Sequence, residues 1–327
     1  MTDSEKRSRR WRRTRTTALV AALAAAGIAL LVRTPAPIGH WDDAAGQDRF
    51  RAAYDTAFAA LPAPARTLDI RTGYGLVRVY RFTGERSAAR PFVLLPGRAS
   101  ATPVWAANLP GLLALGDVYT VDLLGEPGLS IQERPITGDA DHAAWLHETL
   151  AALPEDAFHL VGLSIGGWTA VNLALHDPAQ IATLTLIDPV HVFDDLPLGT
   201  IVRSLPAALP WLPKSWRDGF NSYTAGGAPV EDEPVAAMIE AGMRHYRLEL
   251  PAPTRIAEDR LAELRPPVLA IIAGRSVMHD PGTAVATAER ALPGGTVRVY
   301  PDASHALNGE YPERIAADIA EFTGTRP

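Results

Sequence analysis

The chain has 327 residues and no cysteine. Disulfides, a thiolate nucleophile and any cysteine-ligated metal are thereby excluded. Lysine is nearly absent while arginine and alanine abound, a codon bias rather than a functional signal. No apolar run reaches the roughly 20 residues that a spanning helix wants; the longest, ALVAALAAAGIALLV from Ala18 to Val32, has 15. A basic surface is missing as well. Residues 1–32 hold seven of the 31 basic and two of the 37 acidic side chains, which leaves 24 against 35, a net charge of −11 for the remainder. The field of such a body repels nucleic acid, so DNA and RNA are excluded as partners.

What is present is a hydrophobic content of 47% in a chain long enough for one large α/β domain with a full core, preceded by a segment of different character. Lys6, Arg7, Arg9, Arg10, Arg12, Arg13 and Arg15 precede the apolar run, as a charged region precedes the apolar region of an export signal. Thr16 and Thr17 extend the run. No small-x-small cleavage site follows, because Pro37 directly after Ala36 makes that position a poor one. Residues 16–33 therefore read as an uncleaved membrane anchor, with a removed signal peptide as the alternative. Either way the basic end stays inside and the domain lies outside the cytoplasm, secreted if the segment is cleaved. Residues 34–65 form a lead-in, with an amphipathic helix expected between Trp41 and Leu61.

From residue 66 to 327, β-like runs alternate with helix-like runs: TLDIR, LVRVYRF, FVLLPG, VYTVDLLG, FHLVGLS, TLTLID, VLAIIAG and TVRVYPD. A short Gly-containing link joins the first two, which predicts an antiparallel start. Helical patterns such as HAAWLHETLAAL and AVATAERAL separate the later ones, which predicts an eight-stranded, mostly parallel sheet with helices on both faces. About 75 residues part the sixth run from the seventh, too many for a connection. This stretch, about 190–266, holds Trp211, Trp216, Phe220, Tyr223, Met238 and Met243 and reads as a helical insertion over the sheet edge.

GLSIGG, residues 162–167, stands where the fifth run meets a helical run of small residues. Strand, sharp turn and helix form a nucleophile elbow, in which strained backbone pushes the Ser164 hydroxyl outward while Gly162, Gly166 and Gly167 let strand and helix pass closely. Set against it is a structural serine in a glycine turn. A serine hydroxyl needs a base within hydrogen-bond reach and a third group to orient that base. Of nine histidines, His305 lies between the last strand and the last helix, on the rim that carries Ser164. His279 and His191 also follow strands and stand in reserve. His142, His147, His176 and His245 fall on helical patterns and are expected at the surface.

GLSIGG, VDLLGEPGLS, LLPGRAS and ASHALNGEYP, taken together, resemble the α/β-hydrolase superfamily from about Arg66 to the C-terminus. The resemblance implies that Ser164 attacks an acyl carbon, that His305 takes and returns the proton, and that the 190–266 insertion is a cap shaping the substrate site. It also implies an oxyanion hole from the backbone N–H of Ile165 and that of Arg98 or its neighbour Ala99. Two departures stand out: Pro96-Gly97 replaces the usual His-Gly, and Gly274-Arg275-Ser276-Val277 lacks the usual aspartate after the seventh strand. The acid is then Asp188, at the end of TLTLID, or Asp280, which a helix N-cap followed by Pro281 explains without catalysis.

The expectation is a cofactor-free, metal-free serine hydrolase acting through an acyl-enzyme on a small ester or related acyl compound with an apolar acyl or alcohol group. Its rivals are a lyase or haloperoxidase-like activity on the same residues, and an inactive fold exported as a binding protein.

Overall fold

The computed structural model describes residues 37–325, apart from 87–89, 208, 210, 211, 230–232 and 293. The expected anchor at residues 16–33 and Trp211 lie outside the described residues. No helix among the described residues is long and apolar enough to cross a membrane.

Helix α1 (Ala44–Phe58) begins where the Asp43 carboxylate accepts the N–H of Gly46 at 2.6 Å, and it buries Phe50, Tyr54 and Ala57 on one face. The eight runs form strands β1 (Arg66–Thr72), β2 (Gly75–Phe82), β3 (Phe92–Leu95), β4 (Val118–Val121), β5 (Phe158–Leu163), β6 (Ile181–Ile187), β7 (Val268–Ala273) and β8 (Thr296–Tyr300). They share one sheet in the order β8-β7-β6-β5-β3-β4-β2-β1. The pairs β1/β2 and β2/β4 are antiparallel and the remaining neighbours parallel. Ile131–Gln132 adds a short strand beside β2.

The central strands are buried on both faces, so successive residues serve different cores. Val93, Leu95, Ala270 and Ile272 lie in one core, which also takes Trp145 and Leu146 of helix α2 (Asp139–Ala151) and Trp168 and Val171 of helix α3 (Ile165–His176). Phe92, Leu94, Leu269 and Ile271 share the opposite core with Phe50 and Tyr54 of α1. Between β6 and β7 lie α4 (Leu198–Ala207), α5 (Lys214–Thr224) and α6 (Pro234–His245). Arg217 of α5, almost fully buried, forks onto the Glu240 carboxylate of α6 with three hydrogen bonds of 2.8–3.0 Å. Two charges leave water only in such a geometry, so this pair fixes the register of the two helices. After β7 and β8 the chain forms α7 (Pro281–Ala291) and α8 (Pro312–Thr323).

His142 departs from expectation. It is buried, its ring edge-on to Trp168 at 5.5 Å, because α2 packs both against the sheet and along α3. His147 is half exposed beside Asp177, His176 is exposed and His245 partly so. His159, on β5, is buried as well and bonds Thr183 Oγ1 at 2.8 Å.

Burial lowers the pKa of His142 and of His159 from 6.5 to about 4. Both rings are thus neutral in the fold, whereas the unfolded chain protonates them below 6.5. Their contribution is complete above pH 6.5 and is lost as pH falls toward 4, by an amount on the order of 3 kcal/mol each. The melting temperature should drop steadily between pH 6.5 and 4.5, and ring-proton NMR should place both midpoints well below 6. Midpoints near 6.5 would contradict the burial of these rings.

Candidate active site

Ser164 follows β5 and caps α3 with φ 54° and ψ −117°. A non-glycine residue holds such a conformation at a cost of about 1–3 kcal/mol, sustained by the surrounding packing. The turn closes only on glycine: a Cβ at Gly162 would lie 2.4 Å from the Gly166 carbonyl oxygen, and one at Gly166 would lie 2.1 Å from that of Leu95. Ser164 N–H bonds the Ile187 carbonyl at 3.0 Å, so the turn is tied to the end of β6.

The Ser164 hydroxyl donates to His305 Nε2 at 3.0 Å, and His305 Nδ1–H donates to Asp188 Oδ2 at 2.6 Å. These partners fix the tautomer. His305 sits in the loop after β8, where the Glu310 carboxylate accepts the N–H of Ser304 at 2.9 Å and its hydroxyl at 2.5 Å. No sequence signal pointed to Glu310.

Asp188 directly follows β6 in a left-handed conformation, φ 43°, and is completely buried. Four donors surround its carboxylate. Oδ1 accepts from Ala273 N–H at 2.9 Å and His279 Nε2–H at 2.8 Å; Oδ2 accepts from the Ser276 hydroxyl at 2.7 Å and from His305. Burial works to raise the pKa of this carboxyl, but the hydrogen bonds and charges of His279 and His305 outweigh it and hold Asp188 below the usual carboxylate range. Burial likewise works to lower the pKa of His279, and the bond to Asp188 outweighs it, so that pKa is raised.

Asp280 serves its own helix. Exposed to solvent, it accepts the Thr283 N–H at 2.7 Å, with Pro281 in the first turn. His191 makes no hydrogen bond to Ser164 or Asp188; its ring lies 4.0 Å from Asp195.

The N–H groups of Ile165 and Arg98 have no hydrogen-bond partner among the described residues. Ile165 opens helix α3, and the Gly97-Arg98 turn packs on Ser164, to which a Cβ at Gly97 would approach within 3.6 Å. The Ala99 alternative is corrected by the structure: with φ 54°, its N–H is turned away and donates to Glu126 Oε2 at 3.1 Å. Glu126, from the GEPG turn, is buried, with its other oxygen 3.4 Å from the Arg98 guanidinium. Asp122 pins the same rim by accepting from Thr102 N–H and Leu129 N–H, each at 2.9 Å.

Beside Ile165 opens a narrow cavity walled by Leu123, Leu124, Trp145, Trp168 and Leu250. Its other lining residues include Glu126 and His142. Glu126 Oε1, His142 Nδ1 and Trp145 Nε1 are buried without a hydrogen-bond partner among the described residues.

A strained serine, an imidazole on its hydroxyl, a buried carboxylate behind the imidazole and two unpaired N–H groups alongside can together generate a nucleophile and stabilise a developing oxyanion. The chain is similar to known proteins along most of its length. A model of the alpha/beta hydrolase family matches residues 92–318. The "Uncharacterized carboxylesterase nap" of Bacillus subtilis (strain 168) is 24% identical over 283 residues, covering 84% of this chain and 92% of the relative. The "Pimeloyl-[acyl-carrier protein] methyl ester esterase" of Aeromonas hydrophila is 28% identical over 268 residues, 73% of this chain and 98% of that protein. Among solved structures, naproxen esterase (carboxylesterase NP) from Bacillus subtilis superposes with a TM-score of 0.79 at 22% identity, covering 86% of this chain and 99% of the other.

The two aspartates predict different costs. Asp188→Ala leaves three buried donors and the partly buried His305 ring without their acceptor and should destabilise the protein by on the order of 3–5 kcal/mol. Asp280→Ala removes only a surface cap and should lower the melting temperature by a few degrees at most. Calorimetry of both variants checks this, and equal losses would contradict the placement of the buried carboxylate.

Proposed function

The chain belongs to the alpha/beta hydrolase family, and within it we propose a serine hydrolase that cleaves carboxylic esters through an acyl-enzyme. The observation that carries this reading is the unbroken hydrogen-bond line from Ser164 Oγ through His305 to Asp188. The carboxylesterase and methyl esterase names of its relatives support the ester as substrate.

In the first half-reaction Ser164 Oγ attacks the acyl carbon as its proton passes to His305 Nε2. The carbonyl oxygen becomes an oxyanion facing the Ile165 and Arg98 N–H groups. Asp188 holds the imidazolium in orientation and balances its charge. Collapse breaks the bond to the alkoxy oxygen, which leaves as the alcohol with the proton from His305. In the second half, His305 takes a proton from water, the oxygen attacks the acyl carbon, and the free acid departs as Ser164 regains its proton. The aliphatic and indole walls beside Ile165 favour a small apolar group next to the scissile carbonyl.

The basic cluster before residue 16 and the apolar run behind it support a second part of the proposal, that residues 16–33 anchor the domain outside the cytoplasm. Fractionation of the full-length protein should find it with membranes; recovery in the soluble cytoplasm would refute this part.

Ser164→Ala should keep the fold, since the elbow accepts a small side chain, and should abolish both turnover of p-nitrophenyl esters and labelling by a fluorophosphonate probe. Asp188→Asn should lower kcat by roughly 10³- to 10⁴-fold. Unchanged activity in Ser164→Ala would end the assignment.

A further inference from the structure

The loop after β7, where relatives of this fold are expected to seat the acid, carries no carboxylate at Val277 and sends an imidazole to Asp188 instead. We propose that His279 is a positioning residue of the reaction: its Nε2–H locks the Asp188 carboxylate in the plane that serves His305, and the segment after β6 in turn holds His279 in place. The proposal rests on the reading of Ser164 and His305 as nucleophile and base.

Three observations carry it. First, the carboxylate is shared symmetrically, with one oxygen 2.8 Å from His279 Nε2 and the other 2.6 Å from His305 Nδ1. Rotation about the bond to the carboxyl group would break both contacts, so fixing one oxygen fixes the other. Second, the His279 side chain is 1% exposed, so its bond to Asp188 is shielded from competing water. The side-chain partner of the ring is the Asp188 carboxylate, reached through Nε2. Third, the loop that carries His279 is held by residues that follow β6. The Thr200 hydroxyl of α4 donates to the Val277 carbonyl, and the Asp194 carboxylate accepts the Asp280 N–H at 3.0 Å. A continuous set of bonded contacts thus runs from α4 to the acid. Ala273 N–H, at the end of β7, and the Ser276 hydroxyl of the loop supply the remaining donors.

Two variants and two readouts test this. In His279→Ala, kcat on a p-nitrophenyl ester should fall about 10- to 100-fold while KM stays within about twofold, because a small misplacement of the base costs rate rather than binding. His279→Gln, whose amide N–H reaches the same oxygen, should recover kcat to within about threefold of the wild type. Crystal structures of both variants supply a readout independent of turnover: the Asp188 carboxylate should be rotated in His279→Ala and unmoved in His279→Gln. If His279→Ala fails to fold, His279→Gln alone decides. Full activity in His279→Ala, or a carboxylate unmoved in it, would overturn the proposal, as would a His279→Gln enzyme with a kcat 10-fold or more below wild type. Should the wild type neither turn over esters nor take the fluorophosphonate label, the ester reading fails, and the carboxylate orientation still decides the role of His279.

Discussion

A fully buried carboxylate is the constraint around which this site is built. An ionised group without water is sustained only when hydrogen-bond donors replace the whole of its hydration, and Asp188 meets that demand with four. The donors come from the ends of two neighbouring strands, β7 and β8, and each must arrive at a set distance. The loops that carry Ala273, Ser276, His279 and His305 are therefore not free to drift. The left-handed backbone of Asp188 itself is the local strain that aims the carboxylate back across the end of β7.

The same logic runs toward Ser164. Its strained turn hangs from the β6 carbonyl of Ile187, one residue before Asp188, so Ser164 and Asp188 are registered through a single backbone bond. Glycine at 162 and 166 removes the Cβ atoms that would part strand from helix. Opposite, Glu126 holds the Ala99 N–H and leaves that of Arg98 unengaged, which joins the third-strand loop to the fourth. The apolar cores on the two sheet faces contribute the surplus stability against which such strain is held.

Much of this was legible in the sequence, and the reasons differ by element. The eight strands announce themselves as apolar runs bounded by turn residues, because a central parallel strand buries both faces. Ser164 and His305 were legible from their place at strand ends. The choice between Asp188 and Asp280 could be weighed only because Val277 vacates the usual seat and Pro281 explains Asp280 as a cap. What sequence reasoning missed depends on long-range geometry. His279 looked like a reserve base, and its spacing gives no hint that it bonds Asp188. His142 was expected at the surface, since a helix wedged between the sheet and another helix reads the same as one with a polar face. The Arg217–Glu240 pair and the hold of Glu126 on Ala99 join residues far apart in the chain, with no local pattern to mark either.

One carboxylate, that of Asp188, is shared by two imidazoles. Proton NMR of the unliganded protein, with the ring nitrogens labelled, tests that directly: it should show two strongly deshielded ring N–H protons, one on His305 Nδ1 and one on His279 Nε2, both lost or moved together in Asp188→Asn. A single such proton, or one on His305 that persists unchanged without the Asp188 carboxylate, would contradict it.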